Sequence, residues 1–254
     1  MLQTIIYNGT FENFLTAVFE VYEYKFKDAD IKKDGCANAS LFGEPHIVHE
    51  DKSKAERVIK TLQQKITPLA FRNLYKTFLS EQQGIENTLL RYIQYVIKSK
   101  NSVERNFANA DVLTINQTAK KVDREKHRMK AFIRFQKTKD DLYYAIVQPD
   151  FNVLPLIISH FKERYQDQRW LIYDVRRKYG LYFDKITVEE VKIDFTENIN
   201  NVNKESIYDD QENLYQVLWQ TYFDNVNIKA RRNMKLHIQH MPKRYWKYLI
   251  EKQA

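Results

Sequence analysis

AFIRFQKTKDDLYYAIVQPDFNVLPLIISHFKERYQDQRWLIYDVRRKYGLYFDKITVEEVKI, Ala131 to Ile193, is the stretch on which the fold turns. Its runs AFIRFQ and LYYAIV are rich in β-branched and aromatic residues and flank the turn KTKDD, which predicts one hairpin. WLIYDV and GLYFDKITV flank RRKYG and predict a second, with Gly180 supplying a positive φ to the turn. Between the hairpins, Pro155, Leu156, Ile158, Phe161 and Tyr165 fall on one helical stripe. The order strand, strand, helix, strand, strand predicts a small antiparallel sheet of two hairpins covered by a helix, over residues 131–193.

Upstream, residues 1–130 read as mainly helical. Phe11, Phe14, Leu15, Val18, Phe19 and Tyr22 recur at spacings of three and four behind Thr10, which is placed as an N-cap. Periodicity breaks in the loop from Lys27 to His49 and resumes through Ala55, Val58, Ile59 and Leu62. Pro68 suits the start of another helix, and Ile85 to Ile97 carries a further apolar stripe. Downstream, nine acidic residues against three lysines between Asp184 and Asn213 predict a strand end followed by an acidic, solvated linker over 194–213. A helix from Glu212 to about Val226 opens a basic C-terminal region, 214–254. The class expected is α+β and mostly helical, either as these segments in sequence or as one compact domain.

Charge divides the chain more sharply than periodicity does. Of 41 Lys and Arg, eight lie in Gln117 to Lys137 against two acidic residues, and eight in Lys229 to Ala254 against one. The rest holds 25 basic and 30 acidic residues, so the net +8 belongs to two short stretches. Both are studded with aromatics. Lysines and arginines neutralise phosphates and flat side chains stack on unpaired bases, so this composition suits a nucleic-acid footprint; two solvated helix faces would also account for it.

A lone cysteine, Cys36, excludes a disulfide framework, a Cys-rich zinc site and an iron–sulfur cluster held by this chain alone. No Gly-rich phosphate loop, Walker pattern or dinucleotide fingerprint occurs, so no cofactor is expected. The N-terminal MLQTIIYNGTF has no basic n-region or apolar h-region, and no apolar run approaches the ~18 residues of a membrane helix, which leads to the expectation of a cytoplasmic protein without a membrane partner.

The phosphate-binding candidates are Lys120, Arg124, His127, Arg128, Lys130 and Arg134 in the first basic stretch, Arg176 and Arg177 beside Asp174, and Arg231, Arg232, His240, Lys243, Arg244, Tyr245, Trp246 and Lys247 in the second. Lys120, Arg124 and Arg128 share one i, i+4 ridge. Lys243 to Tyr248 is the densest basic–aromatic cluster, with Pro242 at the first turn of its helix and Tyr245 or Trp246 as stacking platforms, while Trp246 and Leu249 also suit docking onto a core. His127 is a candidate acid or base, and Asp174 either orients an arginine toward phosphate or forms a structural ion pair. His237 with His240, and His46 with His49, form no complete metal motif, and no metal is expected.

YNGTFENFLTAVFEVYE, VDREKHRMKAFIRFQ, LYYAIVQPDFNVLPLIISHF, QRWLIYDVRRKYGLYFD and LWQTYFDNVNIKARRNMKLHIQHMPKRYWKYL resemble a bacterial family labelled "probable DNA metabolism protein" over nearly the whole chain. That resemblance implies an origin beside a putative DNA-modification or repair radical SAM protein, and kinship with domains fused to uracil-DNA glycosylase-like proteins. No activity comes with it. Since the chain lacks a CxxxCxxC run, radical chemistry would belong to a partner. The expected function is a DNA-binding accessory factor in repair or base modification, acting on single-stranded or distorted duplex DNA with a separate, radical SAM enzyme. The alternatives are an enzyme acting directly on DNA bases through His127 or Asp174, and a protein-interaction adaptor whose basic faces meet an acidic partner.

Overall fold

A computed structural model describes residues 2–35, 44–192 and 238–252. The chain divides into two compact units, Met1–Asp123 and Arg124–Ala254. The class is α+β. The helix expected from Glu212, the acidic linker, Cys36, Arg231, Arg232 and His237 lie outside the described residues.

In the first unit, β1 (Leu2–Tyr7) leads through α1 (Phe11–Glu23) to β2 (Asp28–Lys33), and β3 (His46–Ile47) follows. The three strands form a parallel sheet in the order β2-β1-β3, with Ile5 level with Ile31 and His46. The helical stripes around them are legible in the sequence, but these strands are not. β1 is a single short run, and its partners are supplied by distant segments. Three helices complete the layer: α2 (Lys52–Lys65), α3 (Pro68–Phe78) and α4 (Ile85–Lys98). Their starts are set by local chemistry. The Thr10 hydroxyl accepts from the Asn13 N–H at 3.1 Å, Asp51 accepts from the Ser53 N–H at 2.8 Å, and Thr67 accepts from the Ala70 N–H at 3.2 Å with Pro68 in the first turn. Ile5, Phe14, Leu15, Ile31, Leu62, Leu74, Leu89 and Ile93 are fully buried between helices and sheet. At the β1–α1 turn, Gly9 has φ +96°, and a Cβ there would stand 2.6 Å from the Lys33 Cε.

α5 (Ala110–Phe132) runs from the first unit into the second. It extends past Ala131, where a strand was expected, because Met129 and Ile133 keep helical spacing as buried residues of the second unit and Arg134 Nη1 donates to the carbonyls of Ala131 (2.7 Å) and Ile133 (3.3 Å) at the helix end. The strand β4 is therefore only Gln136–Lys137.

The second unit carries a five-stranded sheet, ordered β4-β5-β6-β7-β8, with β5 (Leu142–Val147), β6 (Arg169–Asp174), β7 (Tyr179–Phe183) and β8 (Val188–Val191). Both expected hairpins are present, β4 with β5 and β6 with β7. The expectation of a wholly antiparallel sheet is corrected: β5 and β6 are parallel, Ala145 level with Ile172 and Val147 with Asp174. The connection between them, a 3-10 turn at Leu154–Leu156 and α6 (Ile158–Arg164), is a crossover that returns the chain to the same edge. Phe161 of α6 is buried against Trp170, with ring centroids 6.3 Å apart, and Trp170 packs on Phe183 at 5.3 Å. Gly180 is also corrected. The positive φ of the β6–β7 turn belongs to Lys178 (+56°), while Gly180 lies in β7, where a Cβ would meet the Ile172 carbonyl and a Leu171 methyl at 3.0 Å.

His160 on α6 binds its proton more weakly than an ordinary histidine, through partial burial first and then the charges of Lys130 and Arg164. Because the native value is depressed, the unfolded chain takes up the proton first as pH falls. This contribution to stability is therefore complete above the ordinary value of about 6.5 and declines below it. Urea midpoints at pH 7.5 and 5.5 are expected to differ more for the wild type than for His160→Gln.

Candidate nucleic-acid interface

The parallel pairing of β5 and β6 determines what meets at one edge of the second sheet. Parallel strands end on the same side, so the loop Gln148–Asp150 after β5 lies beside the turn Val175–Lys178 after β6, tied by the Val175 N–H to the Val147 carbonyl at 3.1 Å. Arg176 Nη1 donates to the Asp150 carbonyl at 3.0 Å, and Arg177 donates to the carbonyls of Pro149 and Asp150, both at 3.1 Å. A third segment closes the edge. The 3-10 stretch Lys243–Tyr248 brings Lys247 Nζ and the Tyr248 hydroxyl to Gln148 Oε1, at 2.5 and 2.9 Å. Gln148, Pro149, Asp150, Arg176, Lys243, Arg244 and Lys247 line a cleft of about 510 Å³. Asp150 is the one carboxylate of that lining and forms an ion pair with Arg244 at 2.9 Å.

Beneath the cleft sits Glu125, on α5 and 1% exposed. Its Oε1 accepts from the Asp150 N–H at 2.9 Å, and its Oε2 accepts from the Tyr245 hydroxyl at 2.5 Å and Arg244 Nη2 at 2.9 Å. The carboxylate thus joins α5, the 148–150 loop and the C-terminal segment. Burial, reinforced by the bond to Glu125, pushes the Tyr245 hydroxyl well above its ordinary value, so it stays a donor. Burial works against the charge on Arg244, yet the Tyr245 hydroxyl and the carboxylates of Glu125 and Asp150 hold its guanidinium above its ordinary value. Arg244 stays cationic at the cleft wall.

The sequence candidates separate into distinct environments. Arg176, Lys243, Arg244 and Lys247 line the cleft. Arg177 is a strut, its side chain 9% exposed and paired with the fully buried Asp174 at 2.8 Å. Asp174 also accepts from the N–H groups of Arg176 and Arg177, at 2.9 and 3.3 Å, which makes it the cap of the β6–β7 turn. Tyr245 is 2% exposed with its ring 5.5 Å from that of Phe132, so its face is in the core. Trp246 donates its indole N–H to the Met241 carbonyl at 3.0 Å, and the ammonium groups of Lys243 and Lys252 stand 5.9 and 5.3 Å from its ring.

Arg124 and His127 are exposed on α5, Arg128 reaches Glu125 at 3.8 Å, Lys130 is half-buried, and Arg134 caps the helix end; none of these lines the cleft. Lys120 is exposed on the part of α5 that belongs to the first unit, and His240 is exposed ahead of Pro242. His46 Nε2 donates to the Glu20 carboxylate at 2.7 Å within the first unit, and its ring stands edge-on to those of Tyr24 and Phe26. Among the described residues, no group of three or more His, Cys, Asp or Glu could hold a metal ion, and no helix is long and apolar enough to cross a membrane.

Glu125, Gln148 and Asp150 are the residues that the sequence reading passed over. Glu125 is one of two acidic residues inside the first basic stretch, and a carboxylate embedded among so many cations is the signal that could have singled it out.

The sequence model of a family described as a domain of unknown function, DUF4130, matches residues 83–251. No curated protein and no solved structure matches the chain.

Proposed function

The chain belongs to the DUF4130 family, and from the geometry of its second unit we propose that it is a DNA-binding accessory factor in repair or base modification. The observation that carries this reading is the convergence of Arg176, Lys243, Arg244 and Lys247 on one open cleft, faced by a single carboxylate. Four cations are drawn from two chain segments, and three of them, Arg176, Arg244 and Lys247, are tied to the loop Gln148–Asp150 between those segments, which makes a preorganised site for consecutive phosphates. The exposed Arg124 on α5 adds a further cation within this unit.

A factor of this kind needs no catalytic group of its own. Asp174 is fully engaged in its turn and ion pair, and His127 is exposed with no carboxylate, thiol or hydroxyl bonded to it among the described residues. On this reading the chain holds single-stranded or distorted DNA for a separate enzyme. The resemblance carried by its sequence names a radical SAM protein for that part.

Fluorescence anisotropy of a labelled single-stranded oligonucleotide across a salt series tests the proposal. The logarithm of the association constant should fall linearly with the logarithm of salt, at about 0.7 per phosphate neutralised on a single strand. No binding at low ionic strength, or affinity indifferent to salt, would overturn it.

A further inference from the structure

We propose that the first unit carries a pocket for a nucleobase, with purine nucleotides as the class of ligand it takes. The pocket, about 370 Å³, is formed by α3, the loop that follows α4 and the opening turns of α5. That volume lies at the small end of small-molecule sites, near a single base with its sugar.

The walls are built rigidly. The Glu104 carboxylate accepts from both the N–H and the hydroxyl of Thr67, the latter at 2.8 Å, which fastens the loop to the start of α3. Val103 is buried behind it, and Asn106 donates to the Tyr95 hydroxyl at 2.8 Å. Held in this way, the loop presents Phe107 at the pocket with 53% of its surface exposed. An exposed phenyl ring on a braced loop, with no ring neighbour among the described residues, is a stacking platform. Leu69, 57% exposed in the first turn of α3, adds a second apolar contact.

The polar lining suits the edge of a heterocycle rather than an aliphatic chain. The Asn73 side chain has no hydrogen bond among the described residues. Asn116, also in the lining, donates one amide N–H to the Val112 carbonyl at 2.9 Å, and its side-chain oxygen accepts no hydrogen bond among the described residues. An asparagine amide pairs with the adenine edge through one donor and one acceptor. At the floor, Tyr92 is buried, and burial together with the charge of Glu104 pushes its hydroxyl up to about 12, so it remains a donor. Arg105 is exposed with no ion pair among the described residues, and it supplies the cation for the 5′-phosphate.

The biological meaning of this pocket rests on the nucleic-acid reading above, in which an unpaired base needs a stacking platform that the buried Tyr245 does not offer. Its existence does not. The test is titration of the full-length protein with 2′-deoxyadenosine 5′-monophosphate, followed by NMR shifts of the asparagine side-chain amides, with 2-deoxyribose 5-phosphate as the control without a base. The nucleotide should bind and the sugar phosphate should not. Phe107→Ala and Phe107→Leu should each weaken binding by about 5- to 150-fold, the span of base–aromatic stacking, while Phe107→Trp retains it. The wild type should bind the adenine nucleotide more tightly than the thymine nucleotide and Asn73→Ala should erase that preference, whereas equal binding of the two by the wild type overturns the purine assignment. Absence of binding to the wild type, or equal binding by the Phe107→Leu protein with an unchanged melting temperature, overturns the pocket. If the nucleotide binds but oligonucleotide affinity ignores salt, the phosphate cleft fails and the pocket stands.

Discussion

Replacing Lys243 and Lys247 together by glutamate is expected to lower the affinity for single-stranded DNA by at least about 25-fold at ~0.1 M salt and to flatten the salt dependence by about 1.4 in slope. The arithmetic is that of counterion release. Two lost phosphate contacts remove about 0.7 each from the slope, and because the term vanishes near 1 M salt, the same 1.4 logarithmic units appear as lost affinity one decade below. Charge reversal adds repulsion to that loss, so the figure is a lower bound. Both lysines are exposed, and since Lys247 also bonds Gln148, an unchanged melting temperature is the control that assigns the loss to charge. Asp150→Asn is expected to act in the opposite direction, since it removes the carboxylate that competes with phosphate for Arg244. Anisotropy at three salt concentrations separates the outcomes: a double variant that binds as the wild type does would place the phosphates elsewhere.

The second large effect is on stability. Glu125→Ala should destabilise the second unit by about 2–6 kcal/mol, because it strands the Tyr245 hydroxyl and the Asp150 N–H as donors without an acceptor, at ~1–3 kcal/mol for each buried group. Arg244 keeps Asp150 and partial access to water, so its loss weighs less. Glu125→Gln keeps one of the two acceptor oxygens but sets an amide N–H against the donor at the other position, so it should cost less than Glu125→Ala without restoring the wild-type stability. Thermal unfolding measures this directly, with an expected fall in Tm of roughly 4–24 °C at ~2–4 °C per kcal/mol for a chain of this size. A melting curve unmoved by Glu125→Ala would show that the carboxylate does not join the three segments.

The local features of the fold were legible because their causes are local. Thr10 as an N-cap, Pro68 in a first turn and the stripe of Leu89, Leu90, Tyr92, Ile93 and Val96 are statements about residues within one or two turns of each other. The hairpins were legible for the same reason, since KTKDD and RRKYG sit between strands that pair with their neighbours. The first sheet was not. Leu2–Tyr7 pairs with Asp28–Lys33 and His46–Ile47, and nothing within six residues of apolar sequence distinguishes a central parallel strand from the lead-in to a helix.

At the candidate site, charge composition identified the cations but not their roles. Arg177 and Arg176 are adjacent in sequence and of one residue type, yet one is a buried strut and the other lines the cleft. Tyr245 carries every sequence mark of a stacking residue and is in the core, because burial depends on Phe132 and on Glu125, 120 residues away.

The sequence by itself determined the α+β class, the helices of the first unit, the two hairpins and the segregation of positive charge into two stretches, since each follows from residue type and short-range spacing. Only the tertiary structure decided that β5 and β6 run parallel, and with that which loops share an edge. Strand direction is a choice between chain paths of similar local composition, settled by the crossover through α6 and the burial of Phe161 against Trp170. The cleft at Gln148–Asp150 is a consequence of that choice, which is why residues more than 90 positions apart, Gln148 and Lys247, meet there at 2.5 Å.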